Sequence, residues 1–258
     1  MRLLVAMPLR ALILATLLAA LALAAPAAAQ ARPPARALLI ACERSPEEAQ
    51  RSGVFEGQMR LVPGASRMQM RFTLQASTPE RRRWTNVDAP GFGLWVGSAP
   101  GTGRYLYTKR VMNLLAPASY RVQVRFRWLD AGDVVVERTR RYSEHCRQPD
   151  PRADLEVGAV GVEEVEDDEA AGRYVAFVRN TGRTAAAPSV LSLTVGGVVL
   201  PAGRVLALGP GEGAYVSVDG PACEAGAEIV ADADAEESVD ERDETDNRFT
   251  RRCPPEFD

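Results

Sequence analysis

Apolar and polar residues alternate with a period of two along most of the chain. Met68, Met70, Phe72, Leu74 and Ala76 fall on one side of a strand, with Gln69, Arg71, Thr73 and Gln75 on the other. The segment 120–128 repeats the pattern: Tyr120, Val122, Val124, Phe126 and Trp128 point inward while Arg121, Gln123, Arg125 and Arg127 point outward. Residues 129–133 supply a turn containing Gly132, and 134–142 return as a partner strand rich in β-branched residues. Further strands are predicted at 38–42, 55–62 and 105–114, with Pro90-Gly91 and Pro100-Gly101 marking loops. A helix of a turn or two is predicted after Ser45, which stands as N-cap, with Pro46 at the first position and Glu48 closing a capping box.

Beyond Asp154 the alternation resumes, with strands predicted at 155–162, 173–179, 189–195, 214–218 and 227–234 and a last one after Asn247. Residues 148–153 lie between the two patterned regions, and Pro149 and Pro151 bias them to an extended linker of about 3.1 Å per residue. About seven short strands in roughly 110 residues is the pattern of an immunoglobulin-like sandwich. The expected fold class is therefore all-β, with two immunoglobulin-like antiparallel β-sandwich domains in tandem at 37–147 and 154–253.

The first residues set the compartment. Arg2 and Arg10 flank the apolar run 11–25, and Ala27-Ala28-Ala29 precedes Gln30, the form of a secretory signal peptide over 1–29. The apolar run is almost long enough to span a bilayer uncleaved, but the small-residue site and the prolines after it favour removal. A secreted protein is expected, extracellular or in the cell envelope, with no membrane span after cleavage. Export gives the four cysteines meaning, because disulfides persist in oxidising compartments. Four cysteines allow three connectivities. The separations of 104 and 30 residues favour Cys42 with Cys146 and Cys223 with Cys253, one bridge inside each domain. No two cysteines have the spacing of a zinc site, and His145 is the one histidine.

Charge divides the chain along the same line. Residues 30–149 carry 20 Lys+Arg against 10 Asp+Glu, and residues 150–258 carry 9 against 24. The outward positions Arg71, Arg121, Arg125, Arg127, Arg138 and Arg140 form a face suited by charge to a polyanion such as a cell-wall polymer or acidic polysaccharide. Thirty arginines to one lysine also fit a high-GC genome. Nucleic acid is not expected, because of export and because no aromatic residues interleave the basic strands. A second reading sets the basic half of one molecule against the acidic half of another, a salt-sensitive self-association.

Two resemblances follow from particular residues. Leu115, Pro117 and Tyr120 resemble the Leu-x-Pro to Tyr corner of fibronectin type III domains, with five residues from Leu to Tyr where that family usually has six. In the second half, Asp154-Leu155, the turn Val178 to Gly182, the turn Leu208 to Glu212, and Val239, Glu241, Glu244 and Asn247 occur in order. Together they resemble CARDB, the cell adhesion related domain found in bacteria, with Asp246 where that family more often has Asn. The resemblance implies a seven-stranded immunoglobulin-like accessory module of bacterial surface proteins and exoenzymes, and no particular ligand.

Catalysis has little to stand on. His145 sits beside a disulfide cysteine, and no G-x-S-x-G elbow, H-E-x-x-H helix or phosphate-cradling glycine loop is present. An enzyme is not expected. The acidic run is the place for a cation: Asp232-x-Asp234-x-Glu236 opens like a calcium loop, then has Glu237 at the sixth position and Asp243 at the twelfth. It reads as a solvated hairpin. Calcium is the alternative, with Asp232, Asp234, Glu241, Glu244 and Asp246 as ligands. The expected function is a secreted, non-catalytic interaction or adhesion module for a protein or cell-surface polymer; the alternative is a calcium-dependent or carbohydrate-binding accessory protein.

Overall fold

The computed structural model describes residues 33–165, 168 and 170–254; the expected leader, 1–29, lies outside them. Nine strands form the first half: β1 (Ala35–Glu43), β2 (Ser52–Arg60), β3 (Arg67–Ser77), β4 (Thr85–Val87), β5 (Trp95–Gly97), β6 (Arg104–Met112), β7 (Ala118–Leu129), β8 (Val135–Tyr142) and β9 (Cys146–Gln148). One sheet has the order β1-β2-β6; the other runs β4-β3-β7-β8, with β5 also on β3 and β9 also on β7. The ladder between β3 and β7 is unbroken from Arg67 opposite Leu129 to Ser77 opposite Ser119. The alternation decides which side faces in: Met68, Met70, Phe72 and Leu74 from β3 and Val122, Val124, Phe126 and Trp128 from β7 are each at most 1% exposed. Trp128 pairs its one donor by giving a hydrogen bond to the Arg60 carbonyl at 2.7 Å, as a buried indole requires.

The second half has eight strands: β10 (Leu155–Glu164), β11 (Ala171–Asn180), β12 (Ser189–Val195), β13 (Val198–Val199), β14 (Gly203–Val205), β15 (Gly213–Pro221), β16 (Glu228–Asp232) and β17 (Arg248–Arg252). They form a sheet β10-β11-β15 facing a sheet β13-β12-β16-β17, with β14 on β12. Tyr174, Leu155, Leu191, Leu193 and Ile229 fill the space between. Each half is thus an antiparallel immunoglobulin-like sandwich with its own core.

The long strands lie where the alternation places them; β4, β5, β9, β13 and β14 have only two or three residues each and carry no readable period. The expected helix reduces to a single 3-10 turn, Glu48–Gln50. Its capping box does not form. The Ser45 hydroxyl accepts from the Glu47 N–H at 3.1 Å and donates to Gln50, so it closes a turn ahead of the helix. The linker is also shorter than expected. Gln148 belongs to β9 and donates to the Glu43 carbonyl at 2.9 Å, while Ala153 bridges to Glu241 in the second sandwich. At the fibronectin-like corner the Tyr120 hydroxyl donates to the Leu115 carbonyl at 3.1 Å, so the five-residue spacing still closes it.

Both disulfides pair as the spacing favours, Cys42 with Cys146 and Cys223 with Cys253. Loop-closure entropy grows with the length enclosed. Replacing Cys42 and Cys146 together by alanine is therefore expected to destabilise the first sandwich by about 4.7 kcal/mol, against roughly 3.6 kcal/mol for the second pair. Urea unfolding, with each sandwich followed by its own transition, checks this; a larger loss for Cys223 and Cys253 would contradict it.

Candidate functional site

The six predicted arginines come together on the outer face of the larger sheet of the first sandwich. Register aligns them in rows: Trp95, Arg71, Arg125 and Arg140 stand opposite one another across β5, β3, β7 and β8, and Gln69, Arg127 and Arg138 form the next row. Like charges directly opposite one another destabilise a sheet. Among the described residues none of the six makes an ion pair.

Aromatic rings and amides hold these guanidinium groups in place. Arg121 lies 4.2 Å from the Trp84 ring centre and 4.4 Å from that of Tyr142. Its Nε donates to Gln75 Oε1 at 3.0 Å. Burial pulls its pKa down from the ordinary arginine value. Arg127 repeats the device one row beyond Arg125: its guanidinium is 4.0 Å from the centre of the Trp95 ring, and its Nε donates to Gln69 Oε1 at 2.7 Å. Each such stacked cation is stabilised by about 0.5–1 kcal/mol. The rings correct the expectation that no aromatics interleave the basic strands. Trp84 stands just ahead of β4 and Trp95 opens β5, short edge strands that the alternating pattern does not reveal. Trp84 also stacks on His145, ring centres 4.8 Å apart.

Two depressions cut this face and share Arg125. One, of about 650 Å³, lies between β3, β7 and the loop 86–93, with Arg71, Thr73, Gln75, Asn86 and Gln123 in its walls and Asp88 among them. The other, of about 500 Å³, lies between Trp95, Arg127, Arg138 and Arg140. The loop is fastened to the sheet by the Gly93 N–H, which donates to the Phe72 carbonyl at 2.8 Å. Arg71 Nε is buried at the floor with no hydrogen-bond partner among the described residues.

The acidic run of the second sandwich is built differently. Asp234, 2% exposed, accepts from the Ser238 hydroxyl at 2.8 Å and the Val239 N–H at 2.7 Å. Glu241, 1% exposed, accepts from the Leu155 N–H and the Asn247 amide. Glu244 accepts from the Glu241 N–H at 3.1 Å. Three of the five predicted calcium ligands thus spend their oxygens on closing loops. Among the described residues no cluster of three or more His, Cys, Asp or Glu is arranged to hold a metal ion. The carboxylates instead join a network that the sequence reading did not include as a site. Buried Asp154 accepts from Thr181 Oγ1 at 2.6 Å and the Asp243 N–H at 3.0 Å and pairs with Arg242. Asn180 accepts from Asp154 and Gly182 and donates to the Thr184 and Leu208 carbonyls. A side chain at Gly182 would meet Ala153 Cα at 2.5 Å, so that position admits only glycine. Glu212 accepts from the Gly209 N–H at 2.7 Å across the next turn.

These are the positions that carried the resemblance, each now with a structural duty. Residues 152–251 match the CARDB family model. The CARDB sandwich is similar to a crystal structure of the CARDB domain of the PF1109 protein from Pyrococcus furiosus, in complex with di-metal ions; identity is 24%, coverage 38% of this chain and 84% of that one, and the TM-score 0.33. Red sea bream transglutaminase matches at 10% identity over 88% of this chain and 32% of its own, TM-score 0.32. The YadV chaperone matches at 11% over 84% and 98%, TM-score 0.21. No curated protein matches the chain. Among the described residues no helix is long and apolar enough to cross a membrane.

Burial pushes the Glu241 carboxyl up to about 7, against the pull of its hydrogen bonds from Leu155 and Asn247; the Glu244 and Asp234 carboxylates push the same way. The folded CARDB sandwich therefore holds a proton there that the unfolded chain, near 4.5, has released. Wherever the folded state binds more protons, stability falls as pH rises. The thermal midpoint of the CARDB sandwich is expected to drop between pH 4.5 and 7, and Glu241→Gln to flatten that slope. A midpoint that rises through this window in the native chain, or an unchanged slope in the variant, would contradict the assignment.

Proposed function

We propose that the protein is a secreted, non-catalytic adhesion-type module that binds an anionic polymer of a cell surface through the outer arginine face of its first sandwich. One observation carries this reading: six arginines share one sheet face without an acidic partner among the described residues. The sheet bears the repulsion of arginines set opposite one another, and local conflict of that kind belongs at functional sites. Stacking and amide hydrogen bonds fix the forks of Arg121 and Arg127 before a ligand arrives, which lowers the entropy lost on binding. The CARDB sandwich supports an adhesion-related role, and the two disulfides fit an oxidising compartment.

The test is binding of the chain from residue 30 onward, which keeps every described residue, to immobilised polygalacturonate, poly-L-glutamate and polyphosphate. Affinity for at least one is expected to fall steeply between 50 and 200 mM salt, on the order of the Debye screening change. Arg125→Ala with Arg140→Ala, both exposed, is expected to weaken it at least tenfold with a melting midpoint equal to or above that of the native chain, since the pair stands directly opposite one another. Binding that ignores both salt and these arginines would overturn the reading.

A further inference from the structure

Resting on that reading, we infer that the polymer is an acidic polysaccharide, a chain of sugar rings bearing carboxylate or sulfate groups, gripped along the trough that the two depressions form across β3, β7 and β8. The chemistry of the trough is mixed. Arg127 lines the trough and Arg121 stands just beyond its other end, bonded to the wall residue Gln75; each gives Nε to a glutamine, and the two terminal nitrogens of each guanidinium have no protein hydrogen-bond partner among the described residues. That planar pair of donors matches a carboxylate or sulfate edge. The two clamps are six residues apart on β7, roughly 20 Å along the strand, with Arg71 and Arg125 between them. A single small anion reaches one clamp; a polymer reaches both.

Between the clamps the walls offer neutral donors beside the Asp88 carboxylate. Among the described residues Thr73 Oγ1 has no protein partner, Asn86 uses only its oxygen, accepting from Gln75 at 3.1 Å, and Gln123 uses only its oxygen, accepting from Tyr142 at 3.3 Å. Thr73, Asn86 and Gln123 all line the larger depression. A polyphosphate or an acidic polypeptide side chain brings charge and no hydroxyls to such a wall. A uronate or sulfated sugar brings both, together with an apolar ring face suited to Trp95 and to Leu94 beside it, which are 36% and 68% exposed. Charge complementarity fixes the sign of the ligand, and the neutral donors and rings fix its class.

Size-fractionated oligogalacturonates and poly-L-glutamates of matched charge are titrated into the chain from residue 30 at 150 mM salt by calorimetry. The expected result has two parts: galacturonate binds at least tenfold tighter than glutamate of equal charge, and its affinity rises at least tenfold once the oligomer spans both clamps. Thr73→Val, which touches none of the groups that hold Arg121 or Arg127, is expected to weaken galacturonate at least threefold and glutamate less than twofold. Equal affinity for glutamate or polyphosphate, with the same arginine dependence, would overturn the polysaccharide and leave the anionic-polymer reading standing. A single-stranded oligonucleotide binding tighter than galacturonate would overturn it in favour of nucleic acid. A low-salt dimer in sedimentation that polymer does not dissociate would assign the face to the acidic half of a second copy. Loss of all polymer binding would overturn both readings.

Discussion

The eleven-residue ladder between β3 and β7 governs both the stability and the surface chemistry of the first sandwich. Side chains alternate across a sheet, so one register fixes two faces at once. With Met70 opposite Phe126 and Phe72 opposite Val124 in the core, Arg71 must stand opposite Arg125 outside. A slip by one residue would bury the arginines and expose Trp128 and Phe126. The hydrophobic core thus places the cationic face, and the repulsion within that face is sustained by the burial beneath it. Stacking on Trp84, Trp95 and Tyr142 and hydrogen bonds to Gln69 and Gln75 set the guanidinium groups of Arg121 and Arg127 against neutral neighbours.

The second sandwich uses charge in the opposite way. Asp154, Asn180, Asp234, Glu241 and Asn247 are all nine-tenths buried or more and, the Asn247 oxygen apart, direct their polar atoms at backbone groups, at one another and at Thr181, Ser238 and Arg242. Buried polar groups must be paired, and fully paired ones specify a single arrangement of loops. The CARDB motif residues are thereby explained as the fastening of one end of the sandwich. The net negative charge of this half remains largely on its surface, while its most enclosed carboxylates serve the fold. Asn247 Oδ1 is buried without a partner among the described residues, so the Glu241 carboxyl, when protonated, has an acceptor within reach of an amide flip.

Much of this was legible in the residues. The period-two runs at 68–76 and 120–128 give strand, register and orientation together, because a half-buried strand admits no other reading of them. Cysteine separation gives the disulfides because each bridge closes its own domain. The ring partners of the arginines were not legible: Trp95 opens a strand of three residues and Trp84 immediately precedes another, both too short to show a period, and only the tertiary pairing of β4 and β5 with β3 brings them there. The acidic run reads along the chain as a solvated hairpin, with calcium as the alternative, whereas Glu241 turns inward to the first N–H of β10, a strand some 86 residues distant in sequence. Whether a carboxylate faces water or a backbone donor is decided by that contact and by nothing nearby in the chain.

The most direct measurement is amide hydrogen exchange of the chain from residue 30 with and without saturating polygalacturonate. The central strands exchange slowly in either state, so the borders of the trough report the contact. Slower exchange in the loop 84–95 and along the edge strand β8, with the CARDB sandwich unchanged, is the predicted result. Protection confined to residues 232–247, or spread evenly over both sandwiches, would contradict the assignment of the arginine face as the binding surface.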